Sequence, residues 1–366
     1  TSGSDAVPAA EAAAQASSRP HAGSAGRTLR CTRGFAVYSA FRKICSLFMA
    51  FLLHQLISDS ARRTPQAPAL LFKQQTLSYQ ALQQEVARVA TGLRALGVER
   101  DERVAVYLPK QFETVTGLFG TMAAGGVFVP VNPLLKPEQV GHILRDCATR
   151  ILITSADRAR LLGETLAECP ELTQLIITGE HPDLPQELPQ AVQRWKDLLG
   201  SPEFPVLRRI DADMAAILYT SGSTGRPKGV VLSHQNMLAG ARSVASYLAN
   251  TADDRLLAVL PFSFDYGLSQ LTTAFSVGAS VVLMDYLLPR DVIRAVDKYR
   301  ATGLAAVPPL WNQLATLPWP AGAAECLRFI TNSGGAMPVQ TTRALSLKHI
   351  SEPTRQLMSS RMTSSA

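Results

Sequence analysis

Cysteine is scarce in this chain of 366 residues. Cys31, Cys45, Cys147, Cys169 and Cys326 make five, scattered, odd in number and without a C-x-x-C pair. That argues against a disulfide framework or a zinc site and fits a reducing, cytoplasmic setting. Long apolar runs are lacking too. The run over 44–53 is ten residues, too short to span a bilayer, and no small-residue cleavage site follows it. A charged face is also missing, despite a formal net charge of +7. Residues 1–50 carry six Lys/Arg against two Asp/Glu, residues 341–366 four against one, and residues 51–340 twenty-six of each. A basic balance made at the two ends is no footprint for nucleic acid. No Gly-Lys-[Ser/Thr] stands where a Walker A loop requires it, and no serine sits in a G-x-S-x-G elbow. P-loop and serine-hydrolase chemistry are disfavoured accordingly.

What is present is a long alternation of strand and helix. Residues 1–48 begin at Thr1, are dominated by Ala, Ser, Gly and Arg as far as Arg33, and read as an extension ahead of a natural start at Met49. Beyond it, Phe51, Leu52, Leu56 and Ile57 share a helical face, and Ser78 is placed to cap a helix over 80–96. Strands over 103–108, 127–131, 151–154 and 175–178 alternate with helices over 112–124, 137–147 and 158–167. The proline-rich stretch 181–205, with Trp195, reads as a connection between two lobes. A second block places strands over 215–219, 256–260, 280–284, 304–307 and 327–331 among helices over 234–248, 268–277, 290–300 and 310–315. Such alternation predicts an α/β fold of two doubly wound lobes.

One stretch carries the chemistry. Directly after the apolar strand over 214–219 comes Thr220-Ser221-Gly222-Ser223-Thr224-Gly225-Arg226-Pro227-Lys228-Gly229. Glycines let backbone N–H groups turn toward an anion, the four hydroxyls donate to phosphate oxygens, and Lys228 adds a mobile positive charge. Taken alone, a glycine- and serine-rich loop reads as a linker. The ordered run, bounded by a strand and by Val230-Val231-Leu232-Ser233-His234, reads as a polyphosphate site. His234, beside Ser233 at a helix start, has a capping or packing role rather than a catalytic one.

This loop resembles the signature of the AMP-forming adenylating superfamily, which includes acyl-CoA synthetases, luciferases and the amino-acid-activating domains of peptide synthetases. Two further segments resemble family landmarks in the same order. Leu260-Pro261-Phe262-Ser263-Phe264-Asp265-Tyr266-Gly267 is similar to the segment that walls the acyl pocket. Thr331-Asn332-Ser333-Gly334-Gly335-Ala336-Met337-Pro338 is similar to the turn on which adenine lies. Among subfamilies, the combination of Phe264-Asp265-Tyr266-Gly267-Leu268, Ala305-Ala306-Val307-Pro308-Pro309-Leu310-Trp311 and Asn332-Ser333-Gly334-Gly335-Ala336 looks most like the acyl-CoA ligases associated with bacterial exosortase gene clusters.

The resemblance implies ATP-dependent activation of a carboxylic acid to an acyl-adenylate, then thioester formation with CoA or another thiol. It implies ATP, Mg2+ and CoA as reactants, with no nucleic-acid partner. Thr220 and Lys228 would act in catalysis. Thr220, Ser221, Gly222, Ser223, Thr224, Gly225, Lys228, Gly334, Gly335 and Ala336 would bind the nucleotide. Phe264, Asp265 and Gly267 would line the substrate pocket, and no residue is assigned to a metal. Asp265 keeps two readings: a partner for a substrate ammonium, as in amino-acid-activating domains, or an N-cap for a helix over 266–277.

The family's Tyr-Gly-x-Thr-Glu segment, its ribose-binding aspartate and the mobile small domain with a catalytic lysine have no match here. Residues 49–344 therefore read as an incomplete large domain, and 345–366 as a tail outside the family pattern, resembling translated adaptor sequence. The expectation for this chain by itself is nucleotide binding without turnover.

Overall fold

The structure, a computed structural model, describes residues 50–179, 188–201, 207–220 and 227–346. The expected extension over 1–48 and residues 347–366 of the expected tail lie outside the described residues, while Leu345, the first residue of that tail, is buried in a core cluster.

Helix α1 (Gln55–Arg63) leads into the hairpin β1 (Pro68–Phe72) and β2 (Gln75–Ser78), then α2 (Tyr79–Ala95). The Ser78 side chain accepts from the Ala81 N–H, so it caps this helix as its sequence position predicts. Then follow β3 (Arg103–Tyr107), α3 (Phe112–Ala123), β4 (Val127–Pro130), α4 (Pro137–Asp146), β5 (Thr149–Ser155), α5 (Ala156–Ala167) and β6 (Gln174–Thr178). A short strand β7 (Ala191–Arg194) and helix α6 (Trp195–Leu199) precede β8 (Met214–Thr220) and β9 (Lys228–Ser233). The remainder is α7 (His234–Tyr247), β10 (Arg255–Ala258), α8 (Asp265–Val277), β11 (Ser280–Leu283), α9 (Pro289–Tyr299), β12 (Gly303–Ala306), α10 (Pro308–Thr316), α11 (Ala321–Cys326), β13 (Phe329–Asn332) and α12 (Val339–Ser346).

The strands form two sheets. One runs β7-β6-β5-β3-β4-β8-β9 and the other β13-β12-β10-β11-β1-β2. Each winds outward in both directions from a central strand, and the β1–β2 and β8–β9 pairs are antiparallel while the rest are parallel. The fold is thus α/β with two doubly wound lobes.

Three corrections to the sequence reading arise here. The stretch 188–201 is no mere connection: β7 pairs with β6 at the sheet edge, and Trp195 is buried in the core. The β8–β9 hairpin joins the first lobe's sheet, and the β1–β2 hairpin joins the second, so the lobes interleave along the chain. Phe51 is exposed and precedes α1 rather than sharing its buried face.

Alternation within the strands explains the layering. Val104 and Val106 enter a central core that also holds Leu256 and Ala258 of the other sheet. Ala105 and Tyr107 face an outer layer with Val140 and Ile143 of α4, and Leu257 faces a second outer layer with Val292 of α9. Successive side chains point to opposite faces, so a strand covered on both sides reads apolar throughout. In the middle layer, Phe275 of α8 meets Tyr79 and Phe119 edge-on, with centroids at 6.0 and 5.3 Å.

A buried lysine ties the two sheets at their carboxyl ends. Lys110, past the end of β3, donates from Nζ to the Val259 and Met284 carbonyls and to Asp285 Oδ1, at 3.1, 2.9 and 2.8 Å. Burial lowers its pKa, and the Asp285 carboxylate works against that shift.

Candidate active site

Ligands of open α/β sheets bind beyond the carboxyl ends of the strands, and three of the sequence landmarks lie there. The first is the hairpin tip after β8. Its strands pair Tyr219 with Gly229 and Thr220 with Lys228, so β8 and β9 form an antiparallel pair on either side of the hydroxyl-rich run. Thr220 and Lys228 flank the tip and are exposed. Ser221, Gly222, Ser223, Thr224 and Gly225 lie outside the described residues.

Helix α4 holds both legs of the hairpin. The Tyr219 hydroxyl donates to Asp146 Oδ2 at 2.5 Å, and His142 Nε2 lies 3.1 Å from the Pro227 carbonyl. Residues four apart face the same way on a helix, which is why one helix reaches both strands. Burial, reinforced by the Asp146 acceptor, keeps the Tyr219 phenol protonated. Gly229 is required by space, since a Cβ there would stand 2.8 Å from Ile217 Cγ2.

The second landmark starts α8. Phe264, with extended backbone, is the N-cap residue and makes no side-chain cap bond. Asp265 is the first helical residue, and its Oδ1 accepts from the Tyr266 N–H at 2.6 Å. The Leu268 N–H reaches back to the Phe264 carbonyl at 2.9 Å, which starts the helix one residue early. The N-cap reading of Asp265 is corrected accordingly. Its carboxylate is exposed at the positive end of the helix, where an acidic group is favoured.

Asp265 lines a cavity of about 370 Å³ between α7 and α8, at the small end of the usual range for ligand pockets. Tyr266, Thr331 and Ser333 line it too, and the Tyr266 hydroxyl donates to Thr331 Oγ1. Phe264 and Gly267 are not among its lining residues. Phe264 stacks edge-on against Tyr266 at 6.3 Å beside the outer core. Gly267 is buried against the turn before α8, and a Cβ added there would fall 2.1 Å from the Pro261 carbonyl oxygen. Their place is structural, because the turn must pass under the helix backbone.

The third landmark follows β13. Gly334 adopts φ +79°, and Gly334, Gly335 and Ala336 are exposed as a backbone shelf. Asn332 Nδ2 donates to the Gly335 carbonyl at 2.8 Å, while Asn332 Oδ1 is buried with no partner. A Cβ at Gly335 would stand 3.3 Å from Pro308 Cγ. Among the described residues, no group of three or more His, Cys, Asp or Glu is placed to hold a metal ion.

His234 is buried at 1% exposure and its Nδ1 accepts from the Leu53 N–H at 3.1 Å. It packs, as its position predicts, and Ser233 caps the helix. The sequence reading missed the α7 wall of the cavity. Met237, Gly240, Ala241, Val244 and Leu248 recur at helical spacing and line it, a pattern that by itself marks only a packed face.

No described helix is long and apolar enough to cross a membrane. Similarity to known proteins agrees with the geometry. The chain is 30% identical over 300 residues to tyrocidine synthase 3 of Brevibacillus parabrevis, covering 81% of this chain and 4% of that protein. It is 27% identical over 284 residues to a long-chain-fatty-acid–CoA ligase of Bacillus subtilis (strain 168), covering 71% and 50%. The fold is shared with the anthranilate CoA ligase AuaEII, solved with anthranoyl-AMP, at a TM-score of 0.74 and 23% identity, covering 82% of this chain and 58% of that one. The chain therefore spans about half of each ligase and a small part of the synthase. The sequence pattern of the AMP-binding enzyme family matches residues 57–355, most of the molecule, and the chain belongs to that family.

Proposed function

We propose that this chain belongs to an enzyme that activates a carboxylic acid with ATP and then passes the acyl group to a thiol, with CoA as the acceptor, and that the residues present here supply the nucleotide- and acid-binding part of that reaction. In the first step a carboxylate oxygen attacks the α-phosphorus, the bond from that phosphorus to the bridging oxygen breaks, and pyrophosphate leaves. In the second, the thiol sulfur attacks the acyl carbon and AMP leaves. The observation that carries the reading is the cavity itself, which joins Leu218 and Leu232 of the phosphate hairpin to Thr331 and Ser333 beside the glycine shelf.

In this reading Lys228 and Thr220 neutralise and hold the phosphates, together with Ser221, Gly222, Ser223, Thr224 and Gly225. The shelf Gly334, Gly335 and Ala336 supports adenine. Chemistry of this kind relies on positioning and charge stabilisation rather than on a protein nucleophile. Magnesium would accompany ATP on its phosphates, and no step is assigned to a protein-held ion. A cytoplasmic setting fits the unpaired cysteines Cys147, Cys169 and Cys326.

The test separates phosphate from base. Lys228→Ala is expected to weaken ATP binding about tenfold, measured by displacement of a fluorescent ATP analogue, and to leave adenosine binding unchanged. Equal ATP affinity in the two proteins would overturn the role of Lys228.

One observation favours a second reading, activation of an amino acid: the exposed Asp265 is among the residues that line the cavity. If it pairs with an ammonium group, Asp265→Ala should lower affinity for amino-substituted acids about tenfold and spare their unsubstituted counterparts. Equal losses for both would dismiss the ammonium contact.

A further inference from the structure

Most of the cavity wall is apolar, and the polar side chains of α8 are largely turned back on their own helix. Leu218, Leu232, Met237, Ala241, Val244 and Leu256 supply the apolar surface. On the facing helix the Ser269 hydroxyl donates to the Tyr266 carbonyl at 2.9 Å and the Thr272 hydroxyl to the Ser269 carbonyl at 3.3 Å. The Gln270 amide also donates to the Tyr266 carbonyl, at 3.2 Å. Groups satisfied within their own helix offer little to a polar ligand. The Thr273 hydroxyl, which has no partner, is itself buried.

Gly240 stands in the middle of the α7 wall. A glycine inside a helix costs stability relative to alanine, and it is usually kept where a neighbour comes too close for a Cβ. That explanation fails here: a Cβ at Gly240 would meet nothing within 4 Å, although the residue lines the cavity. Gly240 is itself exposed, so a side chain there meets open space beside the groove that the residue lines.

We propose that Gly240 sets how much of the acid's tail the groove between α7 and α8 admits, and that the substrate is an extended, mainly apolar carboxylic acid. The proposal rests on the acid-activating reading above. The carboxylate end lies toward Tyr266, Thr331 and Ser333, where the cavity meets the nucleotide shelf, and the tail runs between the helices past Gly240. A larger side chain at 240 then shortens or narrows the groove without touching the phosphate hairpin or the glycine shelf.

The experiment uses the 366-residue chain in the presence of ATP, with hexanoate, decanoate and tetradecanoate displacing dansylaminoundecanoic acid. Gly240→Leu is expected to weaken decanoate and tetradecanoate about tenfold or more and to leave hexanoate within about twofold. Gly240→Ala, which adds one carbon and restores helix propensity, serves as the folded control and should lie between the two. If the wild type binds decanoate and Gly240→Leu binds it equally well, Gly240 does not bound the groove and the proposal is overturned. If the wild type binds ATP and amino acids but no alkanoate, the substrate class is wrong while the acid-activating reading stands. If it binds neither ATP nor any acid, that reading fails with it.

Discussion

Gly267→Ala is expected to destabilise the protein by about 3 kcal/mol, at the top of the ordinary range for overpacking a tight site. The added Cβ would fall 2.1 Å from the Pro261 carbonyl oxygen, 2.9 Å from its carbon and 3.0 Å from the Leu260 oxygen. All three are backbone atoms of the turn between β10 and α8, so no rotamer change relieves the clash. Alanine's better helix propensity returns only about 1 kcal/mol and does not reverse the sign. Urea denaturation followed by circular dichroism measures the effect, with Gly240→Ala as the opposite case. With nothing within 4 Å of its new Cβ, that variant should be neutral or more stable. A Gly267→Ala protein as stable as wild type would mean that the turn and α8 are not locked together. Since Asp265 and Tyr266 sit in the same first helical turn, the variant should also weaken acid binding.

Acid sensitivity near neutrality is the second large effect. Burial, followed by the nearby Arg209 charge, lowers His234 from 6.5 to about 4, with Asp213 opposing. His54, whose ring lies edge-on at 6.3 Å, is also lowered to about 4, by burial and then by His234. Both are therefore neutral in the folded protein near pH 7. The unfolded chain takes up these protons near pH 6.5 and the folded one only near pH 4, so stability falls with pH across that window. For His234 the loss between about pH 7.5 and pH 5 is about 2 kcal/mol, with a smaller share from the partly exposed His54.

Asp254 answers to a lower window. Burial would raise its carboxyl, but hydrogen bonds from Arg328, the Thr251 N–H, Asn250 and Thr302 outweigh that and hold it below the usual range. Its contribution is present above the unfolded carboxylate pKa and is lost only as pH falls through the folded value, below about 4. Urea midpoints at about pH 7.5, 6.0 and 5.0 separate the two groups. His234→Gln should flatten the fall over that range, whereas a flat wild-type profile would show that the histidine pair takes up protons without cost.

The fold and the candidate site were legible in the sequence to different depths. Strands such as β3 and β5 and helices such as α2 could be read because strand alternation, apolar periodicity and a Ser78 cap are local signals. The β9 strand was hidden because Lys228-Gly229-Val230-Val231 lies at an exposed sheet edge, where little apolar patterning is required. Strand β7 was hidden by the prolines around it. Of the expected pocket residues, Asp265 lines the cavity while Phe264 and Gly267 do not, since the direction of each Cβ depends on where the helix starts.

The α/β class, the alternation of the central strands and helices, the three family motifs and the packing role of His234 were determined by the sequence alone. Each is written in short-range spacing or in a contiguous motif. Only the tertiary structure decided which hairpin joins which sheet and that α4 grips both legs of the β8–β9 hairpin. It also placed Gly240 on a groove wall rather than in a packed helix contact. Those are contacts between residues far apart in the chain, made by packing two sheets and the helices between them, and no local pattern encodes which distant surface a face will meet.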